Sequence, residues 1–361
     1  LISAVVGILL AIFCLPLFND LAGKQLVIEP NGFVSMVTVA IILIIGLFAG
    51  SYPAFVLSSF RPVSILKGNI TSGNSKQGLR KVLVGVQLVL AIFLISSTMV
   101  MRNQLEYLQN KDMGFNKEQL MVVQVNVPGN VGLTQLVRKG FEKIQPFKNE
   151  LTRVNGVSNV FAASHDFGNG AWVNIGFTDD KNAYREFYLN VVDADYLPAM
   201  NMELVAGRNF SDENPADGRR SIIVNEALVK SYSIVDPIGK KLPGERFGDH
   251  EIIGVVKDFN YSSLYAGVDP LVLVMDVQVI GSGIENMNVD NNPSPKLFLR
   301  LQAANMSATI DEVKNVWDRL TNNEEFNFTF ADQAMAAQYR NDQNLGKIIS
   351  IATLIAIVIG G

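Results

Sequence analysis

Residues able to do chemistry are few and scattered in this 361-residue chain. Its two histidines, His165 and His250, lie far apart, and neither has a second ligand at metal spacing, which argues against a zinc centre. Two acid pairs, Asp179 with Asp180 and Asp193 with Asp195, have the residue types of acid–base catalysis or calcium binding. In NVVDADY the alternate spacing puts Asp193 and Asp195 on one side of an extended segment, although capping and solvated turns account for such acids far more often. No G-x-x-x-x-G-K-[ST] occurs, so ATP cannot bind through a P-loop of this chain. GSG at 281–283 precedes no helix signature and reads as a loop. The N-x-[ST] triplets at Asn209, Asn260, Asn305 and Asn327 read as chance matches. The expectation is a protein that is not an enzyme, with no catalytic residue, cofactor or metal site.

What positions these residues is a chain with apolar ends and a charged middle. Apolar residues make up 48% of it, charged residues only 18%, and the mean hydropathy is +0.23. A net charge of -4 and a pI near 5.4 lack the basic face of a nucleic-acid binder. The lone Cys14 sits in an apolar run, so the water-exposed region has no thiol and no disulfide.

Four apolar runs stand out, at 1–18, 33–57, 82–101 and 345–361. A bilayer core of roughly 30 Å needs about 20 helical residues, so the second and third fit a span directly. The first and last read as truncated spans, which makes the sequence an internal fragment of a longer protein. Lys347, near the start of the last, can snorkel. The loop at 58–81 carries Arg61, Lys67, Lys76, Arg80 and Lys81 and no acid, and is a flexible linker that the positive-inside rule makes cytoplasmic. Residues 19–32 then form an outer loop, and 102–344 lie outside as one block. Within the second span, Gly46, Gly50 and Ala54 form a small-residue stripe at i, i+4 and i+8, suited to close helix packing, and Pro53 would kink the helix or loosen its last turn. These four are candidates for a packing face or hinge.

Beyond the third span the helical composition continues as a stalk to about 113, with Gly114 as its C-cap. The domain at 114–344 alternates short strands with single helices. Strands are expected at 118–125, 157–164, 171–177, 185–192, 221–225, 250–259, 269–275, 296–302 and 326–330. Helices are expected at 134–154, interrupted by Pro146, at 226–232, and at 307–321 with Ser307 as cap. The fold class is therefore membrane α-helical spans plus an α+β extracytoplasmic domain of two lobes, with a Gly/Asn/Pro-rich loop at 281–295 between them.

The order of certain pieces is itself specific. NVVDADYLPAMNMELVAGRNFSDE is followed by SIIVNEALVKSY, DPIGKKL and HEIIGVVKDFNYSSLYAGVDPLV. This order resembles the periplasmic core domain of MacB/FtsX-type ABC transporter permeases, in the duplicated eight-span form common in Bacteroidetes. GLFAGSYPAFVLSSFRPVSILKG resembles the closing helix of that family's first half. LRKVLVGVQLVLAIFLISSTMVMRNQLEYLQNKDMGF resembles the opening helix and stalk of its second half, and FADQAMAAQYRNDQNLGKIIS the re-entry into the next span. The resemblance implies a dimeric inner-membrane permease driven by a separate cytoplasmic ATPase. It would contact membrane lipid and a periplasmic adaptor or substrate protein, and would serve export, extraction or mechanotransmission. No coupling residues carry over, because the family's ATPase-contacting loops match nothing in this sequence. The alternative is a membrane-anchored sensor with an outer ligand-binding domain, for which the spans within 1–57 are awkward.

Overall fold

The computed structural model describes residues 2–27, 31–58, 74–129, 131–167, 172–244, 246–261, 267–289, 295–302 and 304–360. They form two units, Leu1–Gln109 with Tyr339–Gly361, and Asn110–Gln338. Most of the basic linker, and with it Arg61 and Lys67, lies outside the described residues.

The first unit begins with α1 (Ile2–Ala22), α2 (Gly32–Ser58) and α3 (Asn74–Asn110). Each holds a stretch long and apolar enough to cross a membrane, at Ile2–Asp20, Gly32–Ser51 and Val84–Tyr107. Helix is the backbone state that satisfies every N–H and C=O internally, which a lipid environment requires.

The second unit holds two sheets. The first is four-stranded and antiparallel, in the order β11-β1-β10-β2, formed by β1 (Leu120–Gln124), β2 (Val157–Ala163), β10 (Lys296–Leu301) and β11 (Phe328–Phe330). The second is seven-stranded and mixed, in the order β5-β7-β6-β8-β4-β3-β9. Its strands are β3 (Val173–Thr178), β4 (Tyr184–Val191), β5 (Leu204–Gly207), β6 (Ser221–Asn225), β7 (Glu251–Val256), β8 (Leu271–Val274) and β9 (Asn286–Val289). The helices longer than one turn among the described residues are α4 (Leu133–Leu151), α5 (Glu226–Ser231), α6 (Met306–Thr321) and α7 (Ala331–Gln338), beside single helical turns at Tyr196–Ala199 and Asp217–Arg220. α+β in two lobes is thus the architecture.

Strand alternation sorts the cores. Met121 and Val123 of β1 pack with Ile144 and Phe147 of α4 and Trp317 of α6 on one face of the first sheet. Leu120 and Val122 point the other way, into a core shared with Ile223, Leu271 and Leu273 of the second sheet. The far face of the second sheet closes a third core, which reaches Val137 of α4. Helix α4 therefore serves both sheets, its N-terminal half on the second and its C-terminal half on the first.

Several expectations need correction. α4 runs unbroken through Pro146, because burial of Ile144, Phe147 and Leu151 outweighs the roughly 3 kcal/mol that an interior proline costs. Ser307 is not a cap. Asn305 precedes α6 in the left-handed region, which Asn tolerates, so Ser307 falls in the first turn. The stalk helix ends at Asn110, short of Gly114. That glycine is needed for φ +80° and for its approach to Phe259, 2.9 Å from where a Cβ would sit. The expected loop at 281–295 contains a 3-10 turn over Gly281–Gly283 and the strand β9, paired with β3. Every side chain of β9 is exposed, so it shows no alternation to read. Residues 290–294 lie outside the described ones.

The chain then returns to the first unit through α8 (Arg340–Gly360). Among the described residues three helices meet the length and composition of a span, and α8 is not one of them. Its first turns carry Arg340, Asp342 and Lys347, and residues 348–360 are uncharged. Thr353 Oγ1 lies 3.2 Å from Thr98 Oγ1 of α3, and Gly346 lets α8 approach Met101 closely.

The ordered sequence pieces have clear mechanical reasons. Asn225 caps α5 by accepting from Leu228 N (3.1 Å), accepts from Leu271 N (2.9 Å) and donates to Asp269 O (2.9 Å), tying β6, α5 and β8 together. Asp258 accepts from Ala227 N while Glu226 accepts from Asp258 N, a reciprocal cap across α5. Arg208 grips the fully buried Asp217 through two bonds, of 2.6 and 2.8 Å, and Ser211 N and Ser221 Oγ also donate to that carboxylate. The Arg208 and Ser221 bonds hold the Asp217 carboxyl below the usual range although burial opposes them.

Both tryptophans, Trp172 and Trp317, belong to the second unit, so their fluorescence follows its unfolding alone. Arg208→Ala is expected to lower that stability by about 2 kcal/mol, the scale of lost hydrogen bonds to a charged group. Arg208→Lys should recover part of it. Equal denaturation midpoints for native and Arg208→Ala chains would refute the role given to this pair.

Candidate functional site

The two sheets meet where β2 and β4 end. Ala163 and Val192 form an isolated bridge. Around it Ser164 N donates to Val191 O (2.8 Å), Val192 N to Val274 O (2.8 Å) and Asp193 N to Ala162 O (3.1 Å). Asp193 answers with its side chain, whose Oδ2 accepts from Ala162 N at 2.9 Å.

Lys148 closes this joint from α4. It stands on the margin of the helix's buried face, next to Phe147. Its Nζ donates to Asp193 Oδ2 at 2.6 Å and to Asp195 Oδ2 at 2.8 Å. The acids of NVVDADY thus do converge, as their spacing predicts, but on a lysine of another element. Asp195 precedes the helical turn Tyr196–Ala199 without capping it through its side chain. Burial lifts the Asp193 carboxyl to about 6 despite the Lys148 charge, and the two carboxylates hold Lys148 above its ordinary value against the burial that lowers it.

Beside the joint lies a neutral buried network. Ser164 Oγ donates to Asn190 Oδ1 (3.0 Å) and accepts from Val191 N (3.0 Å). Its remaining contact, 2.7 Å to His165 Nδ1, is therefore one in which the imidazole donates. Burial, and then the Lys296 charge, depress His165 to about 3, so the ring is neutral and Nε2 carries the lone pair. No described residue hydrogen-bonds that Nε2. Trp172 stacks on the ring at 5.3 Å.

The other predicted residues lie apart from this joint. Asp179 shapes the β3–β4 turn, accepting from Lys181 N, Ala183 N and Arg185 Nε, and Asp180 is exposed. His250 accepts from Leu242 N and packs on Phe247. No cluster of three metal-ligating side chains occurs among the described residues. Gly46 and Gly50 lie on α2 with open space where a Cβ would be, and α2 is helical through Ser58, past Pro53. The side chains of Pro53 and Ala54 lie outside the described residues. Sequence reasoning missed Lys148, Ser164, Asn190 and Arg300. The last clamps Asn116 O, Glu118 O and Ala199 O, so it holds the entry to β1 against the turn after Asp195.

Geometry of this kind joins the two sheets of one domain. Residues 82–316 match the family described as MacB-like periplasmic core domain. The chain belongs to that family. MacB-like periplasmic core domains are parts of ABC-type transporter permeases of the inner membrane, and the apolar helices fit such an anchor. Solved structures similar to this chain include the following three. The periplasmic region of MacB from Actinobacillus actinomycetemcomitans is 13% identical, with 64% of this chain and 97% of that one covered and a TM-score of 0.38. A domain of a permease-like protein from Porphyromonas gingivalis is 18% identical, covering 59% and 90%, at 0.37. The extracellular domain of the ABC-type transporter YknZ from Gram-positive bacteria is 15% identical, covering 58% and 98%, at 0.36. No curated protein matches.

The joint of this MacB-like domain has a pH signature. An unfolded chain titrates Asp at about 3.9, whereas folded Asp193 titrates at about 6. Between those values the folded state holds the extra proton, so Asp193 makes stability fall as pH rises through about 4 to 6. Asp193→Asn should flatten the native slope in that window when tryptophan fluorescence follows thermal unfolding. A slope as steep in the variant as in the native chain would exclude Asp193 as its source.

Proposed function

We propose that this chain is a permease subunit that couples ATP hydrolysis in a separate cytoplasmic ATPase to movement of its own outer domain. The observation that carries the reading is α3. Its 37 residues run without a break from Asn74 to Asn110, about 55 Å at 1.5 Å per residue, against a bilayer core of roughly 30 Å. Such a rod projects beyond the bilayer and continues directly into the MacB-like domain. Family membership supports the ABC-transporter setting.

The protein is multi-pass in this reading. The basic segment 58–81 is cytoplasmic, residues 102–344 face the periplasm, and two permeases pair as a dimer. Power strokes pass along the spans, and the outer domain serves export, extraction or mechanotransmission toward a periplasmic protein. No step of chemistry is assigned to the outer domain itself.

Affinity capture of the full-length protein from native membranes is expected to recover a nucleotide-binding subunit with vanadate-sensitive ATPase activity. Capture with a histidine kinase or chemotaxis partner, and no ATPase, would replace the permease with a sensor.

A further inference from the structure

Between the end of α3 and the start of β1, residues 111–119 form neither helix nor strand. A segment of that kind between two compact units is where a hinge would form, because it keeps the φ/ψ freedom that its neighbours have lost. Here it is tied down residue after residue. Asp112 Oδ1 accepts from Gly114 N at 2.9 Å, and Asn260 N donates to Met113 O at 2.8 Å. Phe115 stacks on Phe167 with ring centres 4.1 Å apart. Asn116 N donates to Met200 O and Leu301 N to Gln119 O, both at 2.9 Å. Gln119 itself has φ +54°, a conformation that persists only where the surroundings impose it.

Arg300 draws these ties together from β10, an inner strand of the first sheet. Its Nη1 donates to Glu118 O at 2.7 Å, its Nη2 to Asn116 O at 2.8 Å and Ala199 O at 2.9 Å, and its Nε to Ala199 O at 3.2 Å. One guanidinium thus joins the strap 111–119, the sheet and the turn after Asp195. Every one of these acceptors is a backbone carbonyl, so the site uses the planar fork of donors more than the charge. We propose that Arg300 is a clamp that stops the strap from hinging, so that α3 and the MacB-like domain turn as one piece. A lysine there keeps the charge, but its compact ammonium cannot hold carbonyls of two segments in fixed geometry. That this stiffness carries a power stroke rests on the permease reading; the stiffness itself does not.

The test uses the full chain in lipid nanodiscs, with Cys14→Ser and spin labels on Asn103→Cys of α3 and Asp180→Cys, both exposed positions. The native chain is expected to give a single narrow distribution of label-to-label distances. Arg300→Ala should broaden it, and Arg300→Lys supplies the milder variant should the first fail to fold. Exchange of the Asn116 and Glu118 amide protons should quicken roughly ten- to hundredfold in either variant, while β6 amides keep their native rates. Arg208→Ala weakens the same domain elsewhere and should leave the distribution narrow, which separates clamping from general stability. A broad distribution in the native chain, or a narrow one in both Arg300 variants, would overturn the assignment. Failure of the permease reading would show in the affinity capture and leave these distances unchanged.

Discussion

The MacB-like domain depends on one buried carboxylate. Asp193 accepts from the backbone of β2, where Ala162 N reaches it, and from Lys148 on α4, while its own N–H returns to Ala162 O. Together these bonds join β2 and α4 to the point where the chain leaves the second sheet. A carboxylate this deep is costly unless its lone pairs are occupied, and Lys148 with Ala162 occupies one oxygen. That cost is visible in the raised titration point. The stem of Lys148 lies along the joint, with its side chain only 13% exposed, so the helix cannot slide without stranding a charge.

Around that joint the apolar packing follows without further specification. Once β2 and β4 are fixed end to end, Phe161 and Phe298 stack at 5.0 Å across the first sheet and Tyr196 meets Phe161 edge-on at 5.9 Å. Leu271 and Leu273 then complete the shared core. Gly207, with φ +78°, lies so close to Ile253 O that a Cβ would collide with it. The conformation there is one that L side chains rarely adopt, and it lets Arg208 turn back onto Asp217. The motif order that resembles the family is the order of these ties: the glycine turn, the Asn225 cap and the Asp258–Glu226 exchange.

The span helices, most strands and α6 were legible because their signals are local: uncharged runs for the first, β-branched runs for the second, a 3.6-residue period for the last. β9 was not, since an edge strand with all side chains exposed has no pattern to display. The path of α4 through Pro146 was hidden because tertiary burial overrides propensity. The site was half legible. Asp193 and Asp195 could be placed on one side of a segment, but nothing near them in sequence points to Lys148, which arrives from 45 residues away. Ser164 and Asn190 gave no signal at all, as hydroxyls and amides acquire their roles only from partners that the fold supplies.

How force would travel follows from where α4 lies. On the permease reading, a pull along α3 would enter the MacB-like domain at Met113 and Phe115, both of which are buried in the shared core. That core belongs to both sheets, α4 packs on both, and the strand ends are bonded to each other. A body tied in three ways resists internal shear, because close-packed interiors deform little. On the permease reading the domain therefore moves as a block, and its loops rather than its sheets meet the partner. The α4 edge of the joint is the exception. The tie there is the pair between Arg138 Nη2 and Asp276 Oδ2 at 3.2 Å, with both side chains at least 32% exposed, so water weakens it far more than the buried ones. If any part of the domain opens independently of the whole, the physical asymmetry between these ties selects that edge.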